Sequence, residues 1–214
     1  MPIKFDRREY RKIDAAQLET RTGESGEMIV EGYATTFNQP YRLMKDERMT
    51  VNEQVDRNAF AETDMSDVIM QYDHEGPVFA RISNGTLMLA EDDHGLKVTA
   101  DLGGTERGRQ LFEEIQGGYT NKMSFGFTVA GERRERSKDA EGHTTILRTI
   151  TKIGKLYDVS AVSLPANDAT EISSRTISDG LIAEAAEEIR AEEERQHRIG
   201  EIRKLLKGEQ NDDE

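Results

Sequence analysis

Two residue patterns that belong to different secondary structures meet near residue 180, and their junction limits what this chain can fold into. Residues 181–214 (LIAEAAEEIRAEEERQHRIGEIRKLLKGEQNDDE) hold 11 acidic and 6 basic residues, with no aromatic, no proline and only two glycines. Such a stretch favours helix. With Ile182, Ile189, Gln196 and Arg203 at heptad position a, Ala185, Glu192, Ile199 and Leu206 fall at d. The seam is apolar at its ends and polar in its middle, which reads as a solvated charged helix or a docking segment rather than a full coiled coil. EQNDDE at the terminus is expected to fray.

Upstream the pattern is one of short β-like runs between turns. MIVEGYATTF (28–37) is rich in β-branched and aromatic residues and suits a strand. DVIMQYDH (67–74) is a short apolar run with a polar end, and TLMLAEDDHGLKVTADL (86–102) reads as a hairpin turning at Asp93-His94-Gly95. TERGRQLFEEIQGG (105–118) sets Leu111, Phe112 and Ile115 on one face ahead of a Gly-Gly stop, which predicts a helix. MSFGFTVAGERRE (123–135) starts a strand, RSKDAEGHTT (136–145) reads as a polar loop, and ILRTITKIGKLYDVSAVSLPA (146–166) as two further strands. The expectation is α+β and β-rich: a closed or strongly curved mixed sheet with a helix packed on it. The boundary between this domain and the charged helical tail falls at 178, giving 1–178 and 179–214.

Composition narrows the function classes. The net charge of −13 divides as −5 in the tail and −8 before it, and opposes a nucleic-acid or anionic-membrane binder, since both need a basic face. Hydrophobic residues make up 35%, so part of the chain is expected to lie outside a core. There is no cysteine, which removes disulfides, zinc–thiolate sites and cysteine nucleophiles. No apolar run reaches membrane-spanning length, and MPIKFDRREYRKID does not read as a signal peptide, so a soluble intracellular protein is expected. HExxH, the EF-hand spacing, a GK[ST] phosphate loop and the GxSxG elbow are all absent, and no cofactor or metal is expected.

Two segments retain chemical potential. In Gln71-Tyr72-Asp73-His74-Glu75-Gly76-Pro77 an imidazole ends an apolar run just before a turn, the rim position where a general base is useful. In Met123-Ser124-Phe125-Gly126-Phe127 the three apolar side chains point one way along a strand, and Ser124 and Gly126 the other. Gly126 removes bulk on the serine's face, where a substrate would approach. Either segment alone is most often a solvated serine or a structural histidine.

Together with their surroundings these segments resemble the tailed-bacteriophage prohead (capsid maturation) serine protease family. The matching stretches are IVEGYATTFNQP, EQVDRNAF, QYDHEGPVFARISNGTLMLAEDDHGLKVTADL, GGYTNKMSFGFTV and RTITKIGKLYDVSAVSLPANDAT with Arg175, spanning residues 29–175. The resemblance implies a serine endopeptidase that cleaves the scaffolding part of the phage capsid protein in the immature shell. It also implies a compact β-barrel flanked by helices, distantly similar to herpesvirus assembly proteases. His74 and Ser124 match the family's histidine and serine. Asp158 stands where the family tends to carry an acid before VS and is the expected third member. His143 is the alternative, because the related viral proteases use a second histidine, although it sits in a polar loop.

On this reading His74 takes the Ser124 proton, Ser124 attacks the scissile carbonyl, and Asp158 orients the imidazole. Ala166-Asn167-Asp168 is a candidate for the oxyanion donors. The implied partner is the phage capsid or scaffolding protein, with self-association or autocleavage as a further expectation and no membrane or direct nucleic-acid contact. The implied place of action is the assembling procapsid in the host cytoplasm, encoded by a phage or an integrated prophage. The tail would target the enzyme, act as a scaffold segment or be trimmed. Two readings compete: a non-enzymatic internal scaffold protein, which predicts Ser124 and His74 far apart, and a different hydrolase or lyase with a narrow pocket.

Overall fold

A computed structural model describes residues 8–24, 26–163 and 178–208. The chain divides into two compact units, residues 1–174 and 175–214. In the first unit, eleven strands, one α-helix and one short 3-10 turn (Ile82–Asn84) are described: β1 (Arg8–Gln17), β2 (Glu19–Thr22), β3 (Met28–Thr36), β4 (Tyr41–Lys45), β5 (Met49–Val55), β6 (Ile69–Tyr72), β7 (Glu75–Arg81), β8 (Leu87–Glu91), β9 (Gly95–Asp101), α1 (Glu106–Gln116), β10 (Lys122–Lys138) and β11 (Thr144–Val162). The second unit holds α2 (Ser178–Gly208). Within α2 the polar centre of the heptad seam is satisfied along the helix itself, where Gln196 Nε2 donates to Glu192 Oε1 at 2.8 Å.

The strand expected at 28–37, the 86–102 hairpin and the 105–118 helix all form. α1 starts on Thr105, whose hydroxyl accepts from the Gly108 amide, and buries Leu111, Phe112 and Ile115. Two expectations are corrected. The 136–145 loop shrinks to residues 139–143: β10 runs on through Lys138 and pairs with β11 from Thr144, so half of the expected loop is strand. The two strands expected at 146–166 are one, β11, up to its end at Val162. Its pairing with β10 absorbs four register irregularities between Gly126 and Glu132, and these bend the ribbon without ending it.

The expected closed β-barrel is also corrected. Seven strands form one sheet along β1-β10-β11-β5-β4, with β6 and β7 branching from β11, and β2-β3-β9-β8 form a second. Among the described residues neither sheet closes into a ring, and in the first sheet β11 takes different parallel neighbours at its two ends: β5 along Thr144–Ile150 and β6 along Asp158–Ala161. The first sheet therefore forks. Apolar faces of both sheets, with α1, enclose a core that includes Val30, Val98, Leu111, Met123, Phe125, Phe127, Ile153 and Val159. Phe125 and Phe127 stack with ring centroids 4.5 Å apart.

One part of the interior is ionic. Glu9 and Arg11 of β1, Glu53 of β5 and Arg148 of β11 are all buried. Arg11 holds Glu53 through Nε at 2.5 Å and Nη2 at 3.0 Å, and its Nη2 also meets Glu9. Arg148 donates to Glu9 at 2.9 and 3.1 Å, to Glu53 at 2.5 Å and to Glu132 at 2.6 Å. The Tyr41 hydroxyl donates to Glu53 at 2.5 Å. Burial alone would raise the Glu53 carboxyl, but Arg11 and Arg148 hold it down to about 2.

Candidate active site

Ser124 lies on β10 between core residues. Met123, Phe125 and Phe127 have no exposed surface and fill the apolar side, as their alternation requires. Ser124 itself is also fully buried, unlike the solvated serine such a pattern usually gives. On its two sides stand Lys12 of β1 and Ser160 of β11 in the sheet register, and the β6–β7 turn brings His74 against it.

That turn is two residues long, Asp73-His74, between the paired Tyr72 and Glu75. Both turn residues have positive φ, 45° and 64°, as a tight hairpin turn of the type I′ kind demands. Asp and His tolerate this region better than most residues, though less well than glycine. Asp73 repays the conformation with anchoring bonds: its amide donates to Ala161 O at 3.0 Å, and its carboxylate accepts from the Ser163 hydroxyl at 3.0 Å. The imidazole is thus carried on a short turn pinned to β11. Arg81, whose sequence neighbourhood helped to carry the resemblance, closes the base of this hairpin through a paired fork on Asp67, at 3.0 and 2.7 Å.

The His74 ring spans two partners. Its Nε2 lies 2.5 Å from Ser124 Oγ, and its Nδ1 lies 2.5 Å from Asp158 Oδ2. With Nδ1 protonated toward the carboxylate, Nε2 is free to accept from the serine hydroxyl. The ring is packed against Tyr10, with centroids 4.4 Å apart. Asp158 is fully buried. Its Oδ2 also accepts from Ser160 Oγ at 2.9 Å, and its Oδ1 is held by Arg8 Nη2. Burial pushes this carboxyl up, but the His74 bond and charge, the Arg8 guanidinium and the Ser160 hydroxyl outweigh it, so it lies below the usual carboxylate value.

Gly126 has a different role from the one its position implied. It faces Asp158 in the β10–β11 register, and a Cβ there would come within 2.3 Å of Asp158 Oδ1, 2.9 Å of Tyr10 Cε1 and 3.0 Å of Arg8 Nε. The missing side chain makes room for the carboxylate and its arginine, not for an incoming substrate.

His143 is not part of this constellation. Its Nδ1 lies 3.2 Å from Glu47 O and its Nε2 2.9 Å from Thr50 Oγ1, so it ties the β10–β11 turn to the start of β5. Ala166, Asn167, Asp168 and Arg175 lie outside the described residues. The residues that sequence reasoning missed are Arg8, Tyr10 and Ser160. Arg8 and Tyr10 look like unremarkable members of a charged N-terminal run; only the pairing of β1 with β10 brings them beside Gly126.

A family model described as caudovirus prohead serine protease matches residues 16–182, most of the chain. Arg8 and Tyr10 precede the matched span. Comparisons with curated proteins and with solved structures gave no match.

Proposed function

The chain belongs to the caudovirus prohead serine protease family, and we propose that it cleaves the scaffolding segment of a phage capsid protein with Ser124 as nucleophile, His74 as base and Asp158 as the orienting acid. The observation that carries this reading is the His74 ring, 2.5 Å from Ser124 Oγ on one side and 2.5 Å from Asp158 Oδ2 on the other.

In the proposed reaction Ser124 Oγ attacks the scissile carbonyl as its proton passes to His74 Nε2. Asp158 keeps Nδ1 protonated and stabilises the imidazolium that results. The imidazolium then protonates the leaving amine, and water, deprotonated by the same ring, releases the acyl fragment. Ser124 has no exposed surface in this resting arrangement, so the carbonyl reaches Oγ only after a neighbouring element gives way. Burial of Ser124 and Asp158 also keeps water from these two groups, and this strengthens the charge interactions they make.

The enzyme acts in the assembling procapsid in the host cytoplasm, as the family does. We assign catalysis to residues 1–178, and to the charged helical segment 179–214 a targeting role or removal by self-cleavage. Replacing Ser124 by Ala tests the central claim. Coexpression with the cognate capsid protein and mass analysis of its fragments is expected to show no cleavage, with the variant's melting temperature close to wild type. Persistent cleavage would overturn the assignment.

A further inference from the structure

Asp158 has a cationic partner that the catalytic scheme does not use. Arg8 Nη2 binds Oδ1, while Oδ2 serves His74 and Ser160. The Arg8 guanidinium sits 4.6 Å from the Tyr157 ring centroid and 5.2 Å from that of Tyr10, and Tyr10 in turn packs on the His74 ring. Its Nε is buried without a hydrogen-bond partner, so the side chain gives up a donor to hold this place. Gly126 supplies the space for that Nε and for Oδ1 at once. Arg8, Tyr10, Gly126 and Asp158 therefore form a built socket rather than a chance surface pair.

We propose that Arg8 is a positioning residue of the triad: it fixes the Asp158 carboxylate and, by partly neutralising it, keeps His74 in the neutral, proton-accepting form to lower pH than a bare Asp–His pair would. The proposal rests on the Ser124–His74–Asp158 reading given above. An acid with one oxygen on a cation and one on the imidazole attracts an imidazolium less than an unpaired acid does. The cost is weaker stabilisation of the imidazolium; the gain is a base that stays able to accept a proton at lower pH. Among the described side chains, the charged and titratable groups around the pair are Arg8 and Tyr10 from β1, Asp73 and Glu75 flanking His74 in the turn, and Tyr157 beside Asp158 on β11. Of these, only Arg8 bonds the carboxylate; Asp73 is engaged by Ser163.

The test is the pH dependence of Ser124 labelling by a fluorophosphonate, measured on the full chain as a second-order rate and needing no knowledge of the peptide substrate. Arg8→Met deletes the charge but keeps an unbranched stem against the tyrosines; Arg8→Lys restores the charge without the fork. Arg8→Met is expected to move the acid limb of the profile upward by about 0.5–1 pH unit, and also to lower the plateau rate at high pH, because the carboxylate loses one of its two anchors. Arg8→Lys is expected to bring the limb most of the way back. Loss of labelling in Arg8→Met alone, with Arg8→Lys active, would support the same dependence on charge. An unshifted or downward-shifted limb would overturn the inference. So would faster labelling at every pH, which would make Arg8 a clasp that holds the site shut, and so would loss of labelling in both variants, which would make it only part of the packing of β1. Ser124→Ala separates the two levels: labelling that survives in it removes the triad reading itself, whereas an unlabelled Ser124→Ala with a wild-type profile in Arg8→Met removes only the role of Arg8.

Discussion

Arg8 and Tyr10 of β1 face Asp158 and His74, whereas Glu9 and Arg11, their alternate neighbours, face Glu53 and Arg148 on the other side of the same strand. Both groups bury a fully enclosed carboxylate, Asp158 in one and Glu53 in the other. Their partners set them apart. Glu53 is held by two guanidiniums and a phenol, none of which gives up a proton near neutral pH. Asp158 is shared between one guanidinium, one hydroxyl and one imidazole, and the imidazole has a second nitrogen against the Ser124 hydroxyl. Burial of a charge alone confers no reactivity. A partner whose proton can leave, with somewhere for it to go, converts a structural ion cluster into a catalytic one.

Substitutions can break that contrast. The largest effect is expected from Asp158→Asn, which keeps the shape but presents the wrong hydrogen-bond pattern to Nδ1. Cleavage should fall about 10⁴-fold, with a melting temperature within a few degrees of wild type. Glu53→Gln is the counterpart. It should cost about 3–5 kcal/mol in denaturant unfolding, because it leaves buried arginine charge uncompensated. The folded fraction should nevertheless cleave at close to the normal rate. Gly126→Ala lies between the two: its Cβ would displace the Asp158 oxygen it meets at 2.3 Å, and activity should fall roughly 10–100-fold by steady-state kinetics.

Smaller effects sharpen the comparison. The Glu53 carboxyl is depressed from 4.5 to about 2, so its contribution to stability is complete above about 4.5 and disappears as the pH falls through about 2. The stability gap between wild type and Glu53→Gln should therefore narrow across that window in chemical denaturation. Last, His143→Ala should leave cleavage within about threefold of wild type, since its ring bonds Thr50 and Glu47 and neither Ser124 nor His74. A dead His143→Ala would remove Asp158 from its proposed role.

Elements whose own residues carry the instruction were legible in the sequence. β3, the β8–β9 hairpin and α1 each announce themselves by local alternation, a turn signal or a cap. β1 is not announced in this way, because its Glu9 and Arg11 carry charge and become buried only through partners distant in the chain, Arg11 through Glu53 42 residues away and Glu9 through Arg148 139 residues away. The last three residues of β10, Arg136–Lys138, read as loop for the same reason: polar residues pair across a ribbon that polarity alone conceals. At the site, His74, Ser124 and Asp158 were named from the family's wording, and the structure brings those three together while placing His143 elsewhere. Gly126 was noticed but given the wrong neighbour, since which atom fills the space over a glycine depends on a strand 32 residues away in sequence, at Asp158.

The alternation along β1 has a consequence for assembly. Moving this strand by one residue along β10 would exchange its two faces. Glu9 would then sit beside Asp158, and Arg8 and Tyr10 would enter the chamber built for Glu9 and Arg11. The first exchange sets two carboxylates together in the dry interior, and the second strips Glu53 of a guanidinium, so the misframed strand is rejected at both faces. The frame that gives Asp158 its arginine is the same frame that closes the remote ion cluster. The remote ion cluster thereby checks the threading of the strand that the proposed triad depends on.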